Sequence, residues 1–205
     1  MNSRAMFSRA ILFLLFVFPW HTCFAGNILI LGDSLSAGYG LPRGSGWVNL
    51  LTQRLQTDYP GAAIVNASIS GETTAGGKRR IDGLLERHKP DIVIVELGAN
   101  DGLRGIAIPL IRDNLSAIAT ACRQHGARTL IVGMRIPPNY GRDYGEKFHA
   151  LFQETAKRHG TSLVPFLLEG FADDRTLFQD DGIHPANEAQ PLIMENVFRY
   201  LKQLL

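Results

Sequence analysis

Apolar residues occur along this chain in two kinds of segment: short runs that are nearly all apolar, and longer stretches in which apolar positions recur every three or four residues. The runs fall at 27–31, 63–65, 91–96 (DIVIVE), 128–132 and 162–166, and each reads as a strand. Between and after them lie helix-length amphipathic stretches at 47–57, 74–88, 109–125, 144–159 and 187–204. A strand with one wet face would alternate. Continuous apolar runs are expected where helices cover both faces of a parallel sheet. Pro109 suits the first turn of its helix, and Gly126 and Gly160 suit helix C-termini. The pattern predicts one α/β domain with a doubly wound sheet and neither an internal repeat nor a low-complexity linker.

The first 25 residues stand outside this pattern. Arg4 and Arg9 precede an apolar run over 11–18, Pro19 follows, and the small Ala25 closes the segment. This is the layout of a secretory signal peptide, and the run is short of the ~20 residues that span a bilayer. Cleavage after Ala25 is expected, leaving a domain over 26–205, a periplasmic location and no stable membrane anchor. Losing Arg4 and Arg9 leaves 19 basic against 19 acidic residues, so the pI of 8.6 says little about partners. The clearest basic cluster, Lys78-Arg79-Arg80, reads as the solvated face of a helix, and no nucleic-acid partner is expected. Cys122 is then the one remaining cysteine and falls in register with Ile111, Leu115 and Ile118, which marks it as a core thiol.

In doubly wound sheets ligands bind beyond the C-terminal ends of the strands, where the strand order reverses. The segments leaving the strands there carry the candidate chemistry. The first strand runs into Gly32-Asp33-Ser34-Leu35-Ser36, and a serine at a strand mouth can present a nucleophilic hydroxyl or simply cap a turn. The second leaves through Asn66 to Thr73; Gly71 and Gly76 have phosphate-loop spacing, but Gly77 stands where that motif needs lysine. The third leaves through Gly98-Ala99-Asn100-Asp101-Gly102, where a neutral amide could serve a developing oxyanion or belong to a turn. After the fifth comes Asp180-Asp181-Gly182-Ile183-His184-Pro185. A carboxylate three residues before a histidine on a turn can hold Nδ1 and aim Nε2 at a nucleophile. The other histidines of the domain lie at expected helix ends (His88, His125, His159) or inside a helix (His149). With no HExxH or paired CxxC motif, no metal site is expected. A strand order of 2-1-3-4-5 would bring Ser34, Gly71, Asn100 and the last turn to one rim.

These four segments, in this order, resemble the GDSL or SGNH hydrolase family: its GDSLS block, its glycine block ending at Gly71, its GxND block and its DxxHP block. LGDSLSAGYG, NASISGET, ELGANDGLRG and DDGIHP are most similar to its periplasmic thioesterase, protease and lysophospholipase branch. The resemblance implies a flavodoxin-like three-layer α/β/α fold and cofactor-free hydrolysis of fatty-acyl esters and thioesters, lysophospholipids included, by a monomer. It implies Ser34 as nucleophile, Asp181 and His184 as the rest of the triad, and the Ser34 N–H, Gly71 N–H and Asn100 amide as the oxyanion hole. Ala99 stands where that branch leads one to expect glycine. For the acyl chain, Leu103, Ile106 and Ile108 after the third strand, and Ile136, Pro137 and Tyr140 after the fourth, are the candidates. A carbohydrate deacetylase of the same family and a flavin- or nucleotide-binding flavodoxin-like module are the alternatives.

Overall fold

The structure, a computed structural model, describes residues 26–205. The expected signal segment, 1–25, lies outside the described residues. Five strands form one parallel sheet: β1 (Asn27–Gly32), β2 (Ala63–Asn66), β3 (Ile92–Glu96), β4 (Arg128–Val132) and β5 (Ser162–Val164). Their spatial order is β2-β1-β3-β4-β5, so the order reverses beside β1, as the sequence led us to expect. Ile28–Leu31 of β1 and Ile92–Val95 of β3 are almost wholly buried because both have strands on either side and helices above and below. Each such side chain contributes about 1.5–3 kcal/mol by leaving water.

Among the described residues seven helices pack around the sheet: α1 (Ser34–Ala37), α2 (Trp47–Asp58), α3 (Thr74–His88), α4 (Ala99–Leu103), α5 (Ile108–Gln124), α6 (Arg142–His159) and α7 (Gln190–Leu201). α5 packs against both α3 and α6, and α2 packs against α7. The five long helices are those the periodicity predicts, with ends shifted by a few residues. α7 starts at Gln190, after a 3₁₀ turn over Asn187–Ala189, because Pro191 has no N–H to continue an α-helix from Asn187. β5 stops at Val164 because Pro165 cannot donate to the ladder.

The glycines that fail as a phosphate loop have a packing role, and one reading of the basic run beside them needs correction. Gly76 and Gly77 serve close packing, since a Cβ on Gly77 would run into Leu97 at the end of β3. Arg80 is not on a solvated face. It turns back to pair with Glu72 at 2.8 Å and to donate to the Ala67 carbonyl at 3.0 Å, fastening the loop between β2 and α3. Among the described residues no helix is long and apolar enough to cross a membrane.

Candidate active site

Ser34 is not in a loop but in the first turn of α1, directly after β1. Asp33 caps this short helix, its Oδ1 accepting from the Leu35 N–H at 3.0 Å. At a helix start the Ser34 N–H has no intrahelical acceptor and is available to an anion. The Ser34 hydroxyl lies 2.9 Å from His184 Nε2, although 150 residues separate the two in sequence.

The turn that carries His184 is built around Asp181. One carboxylate oxygen, Oδ1, accepts from the Ile183 and His184 N–H groups, both at 2.9 Å. The other, Oδ2, accepts from His184 Nδ1 at 2.6 Å. A carboxylate can only accept, so Nδ1 carries the hydrogen and Nε2 is left to accept from Ser34. Burial alone would push the Asp181 carboxyl up, but the His184 N–H, the imidazole and the Ile183 N–H outweigh it and bring it down to about 2. Gln179 and Gln190 tie the turn to the rest of the fold: Gln179 Nε2 donates to the Tyr39 carbonyl at 2.9 Å, and the Trp47 N–H donates to Gln190 Oε1 at 3.0 Å. The Tyr39 ring packs on the imidazole, centroid to centroid 4.7 Å.

Gly71 and Asn100 reach the same rim from β2 and β3. The chain beyond β2 keeps running beside β1, with Ala67 and Ile69 donating to the Ile30 and Gly32 carbonyls. It then turns at Ile69–Glu72 with Gly71 third, at φ 79°, a position that favours glycine. Asn100 sits in α4, a short helix fastened to the start of α3 by Asp101, which accepts from Thr74 N at 2.9 Å and Thr74 Oγ1 at 2.6 Å. The Asn100 amide is already engaged: Nδ2 donates to Asp33 Oδ2 and to the Glu72 carbonyl, both at 3.0 Å. Ala99, where glycine was expected, packs half-buried against the core.

Beneath this rim lie two acids that sequence reasoning missed as a unit. Asp33 and Glu96 are 1% and 3% exposed. Burial pushes Asp33 up to about 6, against hydrogen bonds from Leu35 and Asn100 and the charge of His184. Burial, and then the nearby Asp33 charge, drive Glu96 well above the carboxylate range. DIVIVE reads as an apolar strand with a terminal acid; an acid ending a fully buried strand was the available signal.

A groove of about 1180 Å³ opens from Ser34 and His184. Leu103, Ile136 and Pro137 line it, but Ile106, Ile108 and Tyr140 do not. Ile106 and Ile108 pack against the core, and Tyr140 donates its hydroxyl to the Leu103 carbonyl at 3.0 Å, outside the groove. Much of the remaining apolar wall comes from Phe166, Leu168, Phe171 and Phe178, in the irregular chain after β5. The run Phe166-Leu167-Leu168 outside any periodic element was the overlooked signal.

The model of the GDSL-like Lipase/Acylhydrolase family matches residues 30–190. The chain is 47% identical over 181 residues to "Esterase TesA" of Pseudomonas aeruginosa, covering 88% of this chain and 90% of that one. It is 39% identical to "Thioesterase 1/protease 1/lysophospholipase L1" of Escherichia coli, covering 92% and 95%. Among solved structures, esterase EstA from Pseudoalteromonas sp., inhibited by monoethylphosphonate, superposes with a TM-score of 0.82 at 41% identity over 86% of this chain and 97% of that one. With the family's pattern spanning the sheet from β1 to the start of α7, and relatives this similar along nearly their whole length, the chain belongs to the GDSL-like lipase/acylhydrolase family and is a serine hydrolase of its esterase and thioesterase kind.

Proposed function

We propose that the protein hydrolyses fatty-acyl esters and thioesters, lysophospholipids among them, through an acyl-enzyme on Ser34. The observation that carries this reading is the hydrogen-bonded chain from Ser34 through His184 to Asp181 at the mouth of an apolar groove. His184 Nε2 takes the Ser34 proton as Oγ attacks the acyl carbonyl, and Asp181 stabilises the imidazolium that forms. The oxygen of the tetrahedral intermediate gathers hydrogen bonds from the Ser34 and Gly71 N–H groups and the Asn100 amide. Asn100 takes part by sharing one of its engaged hydrogens with the oxyanion in a three-centre bond, an arrangement common in proteins. His184 then gives its proton to the departing alcohol or thiol, and water repeats the two steps on the acyl-enzyme. The chain of the fatty acid lies along Leu103, Ile136, Phe166 and Phe171.

A panel of acyl esters and thioesters of increasing chain length, assayed with residues 26–205, tests the substrate class. A preference confined to acetyl esters would overturn it. A fluorophosphonate is expected to label Ser34, and Ser34→Ala to abolish both labelling and turnover. Mapping of the adduct to Ser36 or Ser70 instead would overturn the assignment of the nucleophile.

The same proposal includes export as a monomer to the periplasm after removal of residues 1–25. In support, β1 opens at Asn27, two residues beyond Ala25. Intact mass of the processed protein is expected to start at Gly26; a full-length or lipidated species would contradict this.

A further inference from the structure

The mechanism above leaves two buried carboxyl groups without a task. Gly32 lies opposite Glu96 in the β1–β3 register. A Cβ on Gly32 would stand 2.7 Å from the Ser36 side chain and 2.9 Å from Glu96 Oε2, so the missing side chain is what lets the Glu96 carboxyl come up beneath the nucleophile turn. There Glu96 Oε2 accepts from Ser36 Oγ at 2.7 Å and from the Asp33 N–H at 3.3 Å. The Asp33 N–H thus ties the two acids together, close enough for each carboxyl to act on the other's ionisation.

Two adjacent carboxylates cut off from water repel strongly, and a bond between two carboxyls requires a proton on one of them. The donors around the pair decide which. Asp33 accepts from the Leu35 N–H and from the Asn100 amide, both of which favour its ionised form. Both Asp33 oxygens accept from N–H groups, whereas the Ser36 hydroxyl and the Asp33 N–H both meet Glu96 at the single oxygen Oε2, which leaves its other oxygen to carry a proton. The proton therefore belongs to Glu96, which donates it to Asp33. Asp33 in turn presents Oδ2 to Asn100, whose other hydrogen goes to the Glu72 carbonyl. The amide is thus held by two acceptors from two different segments, in one orientation and with its nitrogen end fixed at the rim.

We propose that Asp33 is a positioning residue for Asn100, and that Glu96, kept protonated, is the donor that holds the Asp33 carboxylate in place to do this. The inference rests on Asn100 being an oxyanion donor. It predicts that Asp33 acts through Asn100 and that Glu96 is needed as a hydrogen-bond donor, not as a charge.

Asp33→Asn turns a donor toward a site already occupied by the donors of Leu35, Asn100 and Glu96. It is expected to lower kcat by about tenfold or more, bounded by the ~10²–10³ of a lost oxyanion donor, with KM little changed. In the Asn100→Ala background the same substitution is expected to cost less than about threefold, because neighbours that act as a unit are not additive. Equal costs in both backgrounds would overturn the proposal and leave Asp33 acting on His184 directly or only on folding. Near wild-type kcat for Asn100→Ala alone would instead bring down the oxyanion reading itself, so the two failures are distinguishable.

For Glu96 the test is rescue. The amide introduced by Glu96→Gln can donate to Asp33 through its nitrogen and accept from Ser36 through its oxygen, whereas Glu96→Leu can do neither. Glu96→Gln is expected to restore most of the kcat that Glu96→Leu loses, with a kcat–pH profile that overlays the wild type. The titrating groups that bear on this profile are Asp33 at the end of β1, Glu96 at the end of β3 and His184 on the turn after β5. If Glu96→Leu does not fold, Glu96→Gln alone decides. A loss of about a hundredfold, or a displaced acid limb, would mean that an ionised Glu96 is required, and the proposal would fall.

Discussion

Replacing Asp181 by asparagine would change one atom and reverse the logic of the turn. The carboxylate has two distinct duties, Oδ1 serving two backbone N–H groups at 2.9 Å and Oδ2 serving His184 Nδ1 at 2.6 Å. An asparagine can keep only one of them. If its oxygen stays with the backbone, its NH₂ faces the imidazole, Nδ1 must become the acceptor, and the hydrogen moves to Nε2, where it blocks proton removal from Ser34. If it flips, the tautomer is right but two backbone donors face another donor, at roughly 1–3 kcal/mol each. The productive arrangement is thus disfavoured by about 2–6 kcal/mol, which at ~1.4 kcal/mol per decade is a kcat loss between about 30-fold and about 10⁴-fold. Steady-state assay of Asp181→Asn on a short-chain ester at neutral pH measures it, with KM expected to change little. Thermal stability should also fall, since the backbone contacts are kept but the charge that strengthens them is lost. The charge itself is favoured by the fold: Asp181 is held below its ordinary 3.8, at about 2. Its contribution to stability is therefore present above ~4 and lost as pH falls through about 2. The kcat loss should accordingly persist across the acid range down to about pH 4. A variant within fivefold of wild type would refute the assignment of Asp181 as the residue that orients His184.

Three further outcomes follow from burial and shape. Ala172 lines the groove, so Ala172→Trp is expected to cut kcat/KM for long-chain esters by about tenfold or more while leaving acetyl esters nearly unchanged; equal effects on both would place the acyl chain elsewhere. Phe152, 1% exposed and edge-on to Phe148 at 5.3 Å, should cost about 3–5 kcal/mol as alanine, seen as a fall in Tm of about 6–20 °C by calorimetry. The Cys122 thiol is fully buried and pushed up by that burial to about 11, so in residues 26–205 it should resist a thiol reagent such as DTNB until denaturant is added.

The sheet was legible because its signal is local: five apolar runs separated by amphipathic stretches leave little choice of architecture. Ser34, His184 and Asp181 could be singled out for a similar reason. Asp181 and His184 are three residues apart on one turn, and Ser34 follows directly from a strand. What stayed hidden depends on contacts distant in sequence. Asp33 and Glu96 meet only because β3 pairs with β1, and an acid at the end of DIVIVE gives no hint of facing another acid 63 residues away. The groove wall after β5 was missed because Phe166, Leu168 and Phe171 belong to no periodic element, while Ile106 and Ile108, chosen for being apolar on a loop, spend that apolarity on the core. Arg80 was misjudged because a basic run on a helix suggests solvent, and only the tertiary position of Glu72 shows where its third member turns.

The 150 residues between Ser34 and His184 also set an order of events. Ser34 stands on the first turn after the first strand and His184 on the turn just before the last helix, locked by Gln190 to the start of α2. A chain still being synthesised can fold much of its sheet and still hold an unactivated serine, since the base arrives only with the final segment. Hydrolytic competence is therefore withheld until the C-terminal helix has docked. Activity during refolding should therefore not precede the packing of α7 against α2.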